Sequence, residues 1–302
     1  MILLWGLEDS SLNLVRTALE EMRASFLFLN HADLLDTHVE VEYSPDVTGI
    51  IEVRGTKIQV EAIRSIYLRP YDFKEFPEFA NLDRESPQYR HAQLLQSILW
   101  SLSDVADGLV LNRPSSMLSN SSKPYQSRLI EAQGFKVPET LITTDPSVAR
   151  RFRVKHGDVV YKSISGTRSI VKRLSDEHEA RMEDLRWCPT QFQVYVEGVD
   201  YRVHVVSSRL HATRIVSDAV DYRYGPSRID ACELPDDVAE RCFNLTQAMG
   251  LIFSGIDLRR TPSGQWFCFE VNPSPAYSCY EEITGQKMSL DVANLLASYD
   301  RA

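Results

Sequence analysis

Two apolar runs near the C-terminal end, Ile252 to Arg259 and Gln265 to Val271, flank Thr261-Pro-Ser-Gly264. Pro and Gly between two strand-forming runs are hairpin-turn chemistry, and no other stretch restricts the fold so tightly. With the turn as origin, Asp257 falls about opposite Glu270, at a cross-strand Cβ separation of about 5 Å. Side-chain alternation then puts Glu270 and Asn272 on one face, while Ile256, Leu258, Phe267 and Phe269 make the rest of the hairpin apolar. Asn272-Pro273 stops the strand abruptly. Two carboxylates in so apolar a setting repel each other and rise toward protonation unless a cation lies between them. A small set of hard oxygen ligands suits Mg²⁺ held jointly with phosphates; a solvated polar edge is the plainer alternative.

The rest of the chain gives this hairpin its context. At 302 residues, with about 150 residues per domain, two or three domains are expected. Residues 1–113 alternate strand and helix signals: apolar Met1 to Gly6, a helix from Asp9 to Met22, strands at Phe26 to Leu29, Thr48 to Val53 and Ser65 to Arg69, a helix from Pro87 to Val105 entered by Ser86, and a short strand at Leu109 to Leu111. Such alternation implies an open, mostly parallel sheet. Residues 114–190 hold a helix from Lys123 to Gln133 stopped at Gly134, a strand at Glu139 to Thr143, a helix capped by Asp145 and a strand at Asp158 to Lys162. Residues 191–302 are strand-dense, interrupted by a helix from Pro235 to Met249 and closed by another from Leu290 to Tyr299. The expected fold class is an α/β domain followed by a two-lobed α+β region.

Composition removes several classes of function. Hydrophobic residues at 43% and charged ones at 25% fit a soluble globular protein. With 33 basic against 42 acidic residues the net charge is −9, the wrong sign for coating nucleic acid, so any anion must be held by a local positive cluster. Met1 to Leu7 meets Glu8 and Asp9 at once and reads as a buried first strand rather than a signal peptide. No apolar run approaches the roughly 18 residues of a membrane span, and a cytoplasmic protein is expected. Cys188, Cys232, Cys242, Cys268 and Cys279 show no C-x-x-C spacing, which argues against a disulfide framework or a thiolate zinc site.

Two more segments carry chemistry. Between Phe192 and Val206, Tyr201, Val203 and Val205 point one way, and Asp200, Arg202 and His204 the other. A guanidinium there matches a phosphate by its planar fork, although an Asp200–Arg202 surface salt bridge would explain the pair equally. In Val159 to Ile170 an apolar strand ends in Lys162 and passes into a small-residue loop, Ser163 to Ser169, where backbone N–H groups can approach phosphate oxygens. There is no G-x-x-x-x-G-K-[ST], no G-x-G-x-x-G, no G-x-S-x-G and no H-E-x-x-H, which removes the P-loop, dinucleotide-turn and common hydrolase readings.

In this order the clusters resemble the ATP-grasp superfamily, in particular its RimK-like branch and the graspetide (microviridin-type) peptide ligases. Phe267-Cys-Phe-Glu-Val-Asn-Pro273 together with Gly255-Ile-Asp257 carries the likeness most specifically, and it extends from Lys123 to about Leu290. The first 113 residues look like the pre-ATP-grasp domain of that family. The resemblance implies ATP and Mg²⁺ as cofactors, with Lys123 and Lys162 on the nucleotide phosphates and the loop containing Ser165 and Gly166 folding over them. Gln193, Tyr195 and Val196 would form the hinge that offers backbone groups to adenine, with Asp200 near the ribose. Arg202 and Arg223 would hold the transferring phosphoryl group, and Asp257, Glu270 and Asn272 would ligate the metal. The hinge departs from the common Gln-Glu-Tyr by having Val194.

For the substrate, Arg69 and Tyr71, at the end of a first-domain strand, and Tyr224 are the candidates, with Arg69 either gripping a carboxylate or bracing a domain interface. The tail Ser274 to Tyr280 either lines the acceptor pocket or packs as aromatic filler. The implied activity is a carboxylate–amine or carboxylate–hydroxyl ligase working through an acyl phosphate on an amino acid, peptide or small acid. An ATP-grasp kinase and a non-catalytic ATP-binding module use the same residues. Neither nucleic acid nor membrane is an expected partner; a homodimer is compatible with this reading.

Overall fold

The continuous apolar run at the N-terminus becomes the centre of a sheet covered on both faces, as its lack of alternation requires. In a computed structural model describing residues 1–69, 71–164 and 170–300, β1 (Ile2–Gly6) lies between β2 (Phe26–Asn30) and β6 (Ser65–Arg69), with β7 (Leu109–Leu111) beyond β6, all parallel. The helix Ser10–Glu21 starts where Asp9 Oδ1 accepts the Leu12 N–H at 2.7 Å. Pro87–Val105 starts where Ser86 Oγ accepts the Tyr89 N–H at 3.2 Å. One expectation is corrected: β4 (Thr48–Val53) is not in the parallel sheet. It pairs antiparallel with β3 (Thr37–Glu42) and β5 (Thr56–Gln59) in a separate three-stranded sheet, and its half-buried alternation is what a sheet with one wet face produces.

The central sheet has the order β10-β9-β11-β8, from β8 (Thr140–Thr143), β9 (Val159–Ser163), β10 (Lys172–Arg173) and β11 (Thr190–Val194), all antiparallel. Its core is small, built from Ala149, Val159, Leu174, Met182, Leu185 and Phe192. Lys162 stands directly opposite Gln191.

The third sheet has the order β14-β13-β12-β15-β16, from β12 (Val199–Val206), β13 (Arg209–Ser217), β14 (Ser227–Cys232), β15 (Phe253–Arg260) and β16 (Trp266–Asn272). Its buried face, with Val203, Val205, Ile256 and Leu258, packs against the helix Asp236–Ala248. Asp257 pairs with Glu270, as the hairpin count predicts, but Leu258 then pairs with Cys268. This β-bulge turns Cys268 and Val271, rather than Phe267 and Phe269, into the core.

The outer parts of the chain share one apolar layer. Ile2, Leu4, Val15 and Leu19 of the first domain pack with Tyr277, Met288, Val292 and Leu296 from the C-terminal end, the last three on the closing helix Met288–Ser298. The buried Asn112 carboxamide adds a polar staple: it donates to the Phe253 and Pro273 carbonyls, both at 2.6 Å, and accepts the N–H groups of Ile252 and Phe253 at 2.8 and 3.1 Å. The cysteines are free thiols. Among the described residues no helix is long and apolar enough to cross a membrane.

Candidate active site

One face of the third sheet collects the charged groups because β12 and β15 pair in register. Arg202 stands opposite Asp257, Asp200 opposite Arg259 and His204 opposite Gly255. Arg202 Nη1 donates to Asp257 Oδ1 at 2.7 Å, and its Nε donates to His204 Nε2 at 3.3 Å. His204 can accept only if its ring is neutral, and burial, then the Arg202 charge, hold its pKa well below the ordinary 6.5. The ring therefore steers the guanidinium without repelling it. The room for that guanidinium comes from Gly255, where a Cβ would lie 2.3 Å from Arg202 Nη2 and 2.6 Å from Pro275 Cβ. Gly255→Ala is expected to push the guanidinium off Asp257 and, if the ATP use that the resemblance implies is tested in a steady-state assay, to lower its rate about 100-fold; an unchanged rate would contradict this.

The plainer alternative, an Asp200–Arg202 salt bridge, is not formed. Asp200 is held by both arms of Arg259, at 2.7 and 2.8 Å, and Arg259 Nη1 reaches the Val196 carbonyl at 2.8 Å. The pair braces the hinge, and the Arg259 guanidinium also faces the rings of Tyr195 and Phe269 at 5.7 and 5.2 Å. The bulge explains how Phe269 comes to this side. Gln193 spends its amide on Thr140 Oγ1 at 3.0 Å. The Val194 and Tyr195 N–H groups go to the carbonyls of Glu139 and Asp158 at 3.0 and 2.9 Å.

Cations from two lobes converge on the acidic pair. Lys123 Nζ donates to Glu270 Oε1 and to Asn120 Oδ1 at 3.3 Å. Lys162 has its ammonium held below the ordinary 10.5, first by burial; Lys123 and Arg223 push the same way, against Glu270 and Asp257. Arg223 forms a two-point pair with Asp221, its Nε at 2.7 Å from Oδ1. Its neighbour Tyr222 bonds the Tyr280 hydroxyl at 3.0 Å. Asn272 Oδ1 accepts the Ser274 N–H at 3.0 Å, so the residue after Pro273 is tied back to it.

The three expected substrate residues are spent on other contacts. Arg69 is 4% exposed and gives its guanidinium to Asp9 at 3.0 Å and to the Pro275 carbonyl at 2.9 Å. Tyr71 donates to the same Asp9 at 3.0 Å. These bonds brace the end of β6 against the segment that follows β16. Tyr224 is exposed, its ring 5.7 Å from the Arg223 guanidinium. In the tail, Tyr277 is core, its hydroxyl donating to the Ser11 carbonyl at 2.8 Å, whereas Tyr280 lies 5.4 Å from the His204 ring. Ser165 and Gly166 lie outside the described residues.

The donor set fits a magnesium ion shared with phosphates. Asp257 and Glu270 face each other across one register step, Asn272 adds an amide oxygen, and each carboxylate has one long basic side chain beside it as a counter-charge. Among the described residues no group of three His, Cys, Asp or Glu offers a different metal site. The residues that sequence reasoning passed over, Arg259 and Asn112, belong to no motif. Arg259 was detectable as the residue two on from Asp257, hence on its face.

No family model matches the chain, nor does any curated protein. Solved structures do. A RiPP-associated ATP-grasp ligase from Chryseobacterium gregarium, in complex with ADP and a leader and core peptide, is 21% identical with a TM-score of 0.83 and covers 100% of this chain and 99% of its own. The ATP-grasp ligase PsnB, complexed with minimal precursor, Mg and ADP, is 26% identical with a TM-score of 0.81, covering 98% of this chain and 96% of its own. The macrocyclase MdnC from Microcystis aeruginosa MRC, bound with precursor peptide MdnA, is 18% identical with a TM-score of 0.84 over 99% and 100%. Over its whole length the chain has the ATP-grasp fold, laid out as in the RiPP-associated peptide ligases it is similar to.

Proposed function

We infer that the protein is an ATP- and Mg²⁺-dependent ligase that joins a carboxylate of a peptide to an amine or hydroxyl through an acyl phosphate. The observation that carries this is the convergence of Lys123, Lys162 and Arg202 on Asp257 and Glu270. The peptide substrate is suggested by the peptides bound in the neighbouring structures.

A carboxylate oxygen attacks the γ-phosphorus and ADP leaves; the amine or hydroxyl then attacks the acyl carbon, loses its proton, and inorganic phosphate departs. Phosphoryl transfer spreads negative charge over the transferred group, so the enzyme's contribution is positioning and cations. Arg202 and Arg223 hold the phosphoryl oxygens, and Lys123 and Lys162 the phosphates behind them. Asp257, Glu270 and Asn272 would hold Mg²⁺, which would supply neutralisation of the phosphate charge. At the hinge the Val196 N–H is the donor left for adenine, since its two predecessors are already bonded. The free thiols accord with a reducing, cytoplasmic setting.

Incubation with ATP, Mg²⁺ and an acidic peptide, followed by mass spectrometry, tests the reading. Free phosphate with loss of one water per bond formed supports ligation, and phosphate retained on the acceptor identifies a kinase. The lowered Lys162 pKa makes a second prediction. A lysine that loses its proton below the ordinary 10.5 loses its grip on phosphate there too, so ADP affinity falls as pH rises through the alkaline range. Lys162→Arg, which stays charged, flattens that fall in calorimetric titrations.

A further inference from the structure

The proposed metal-ligand strand β16 is an edge: β15 pairs with its inner side, and among the described residues no strand follows on the outer side. A bare strand edge leaves main-chain N–H and C=O groups unpaired. Here the edge is covered piecemeal from the segment that precedes the central sheet. The Lys136 N–H donates to the Trp266 carbonyl at 3.3 Å, and its carbonyl accepts the Cys268 N–H at 2.9 Å. On the far side of the bulge, Gln126 does with a side chain what a neighbouring strand would do with its backbone. Its Nε2 donates to the Val271 carbonyl at 2.8 Å and its Oε1 accepts the Val271 N–H at 3.0 Å.

Gln126 is 1% exposed, so nothing but the strand satisfies its amide. Val271 stands between Glu270 and Asn272. Fixing both polar groups of Val271 fixes the local twist of the strand, and with it the directions in which the two flanking side chains project. Gln126 also lies one turn after Lys123 on the helix Lys123–Ala132, on the same helix face, and Lys123 holds the Glu270 carboxylate. One helix face thus grips both the backbone and the acidic side chain of this strand.

We propose that Gln126 is a positioning residue for the metal ligands Glu270 and Asn272: by holding Val271 at both its polar groups it sets their separation, and so sets divalent-cation affinity. This rests on the assignment of Glu270 and Asn272 as ligands.

The test is Mn²⁺ titration of the full chain in the presence of ADP, followed by electron paramagnetic resonance. Gln126→Met keeps the length of the side chain but removes both bonds, and is expected to weaken Mn²⁺ about tenfold, as loss of an outer-shell partner does. Gln126→Asn keeps a carboxamide one methylene short and falls in between, and it carries the test if the Met variant does not fold. Leu245→Ala, a fully buried core change in the same lobe, lowers the melting temperature without moving Mn²⁺ affinity. If the Gln126 variants weaken Mn²⁺ no more than Leu245→Ala does, Gln126 is merely structural and the proposal is overturned. If Glu270→Gln leaves Mn²⁺ binding intact, the ligand assignment itself fails, and the proposal with it.

Discussion

Glu270→Gln will abolish ADP release, by about 1000-fold or more, while leaving the fold intact. The substitution keeps the shape of the side chain and an oxygen for the Lys123 ammonium, but it removes the negative charge that pairs with Asp257 to hold a divalent ion. The fold should persist, because the substitution is isosteric at a part-exposed position and leaves an acceptor for Lys123. Circular dichroism and thermal melting check the fold, and a coupled assay for ADP checks turnover. A variant that melts normally and still turns over would remove the metal assignment and leave the acidic pair as a charge-balanced strut.

Arg202→Ala will lower turnover about 1000-fold and Arg202→Lys about 100-fold, with smaller effects on the ATP concentration needed for half-saturation. The difference between the two follows from geometry. Nη1 goes to Asp257 and Nε to His204, so the guanidinium is held flat at two points, with its remaining donors for a phosphoryl oxygen; a lysine restores the charge but not the plane. Equal losses for both variants would mean that the fork matters and the charge does not, whereas full activity of Arg202→Lys would reduce Arg202 to a counter-ion.

The hairpin was legible because its turn marks where two apolar strands fold back on each other, which brings Asp257 about opposite Glu270; the bulge completes that pairing. Helix entries at Asp9, Ser86 and Asp145 were legible for a similarly local reason: a short polar side chain two or three residues from a free N–H. The bulge at Phe269 was not, since inserting one residue changes which side chains are buried without changing the apolar pattern that flags a strand. Nor were the Asp200–Arg259 and Arg69–Asp9 pairs. Each joins residues about 60 positions apart in the chain, and a periodicity of two or of 3.6 is blind to that separation. Gln126 and Asn112 are hidden most completely. A carboxamide that hydrogen-bonds main chain more than 100 residues away leaves no mark in its own neighbourhood.

The apolar layer joining the closing helix to the first domain decides how this molecule could be re-engineered or could diverge. Residues from both ends of the chain interlock there, whereas the central sheet has a small core of its own. The two ends therefore form a single chassis and must be exchanged together, while the central sheet, resting on a core of its own, tolerates exchange independently of them.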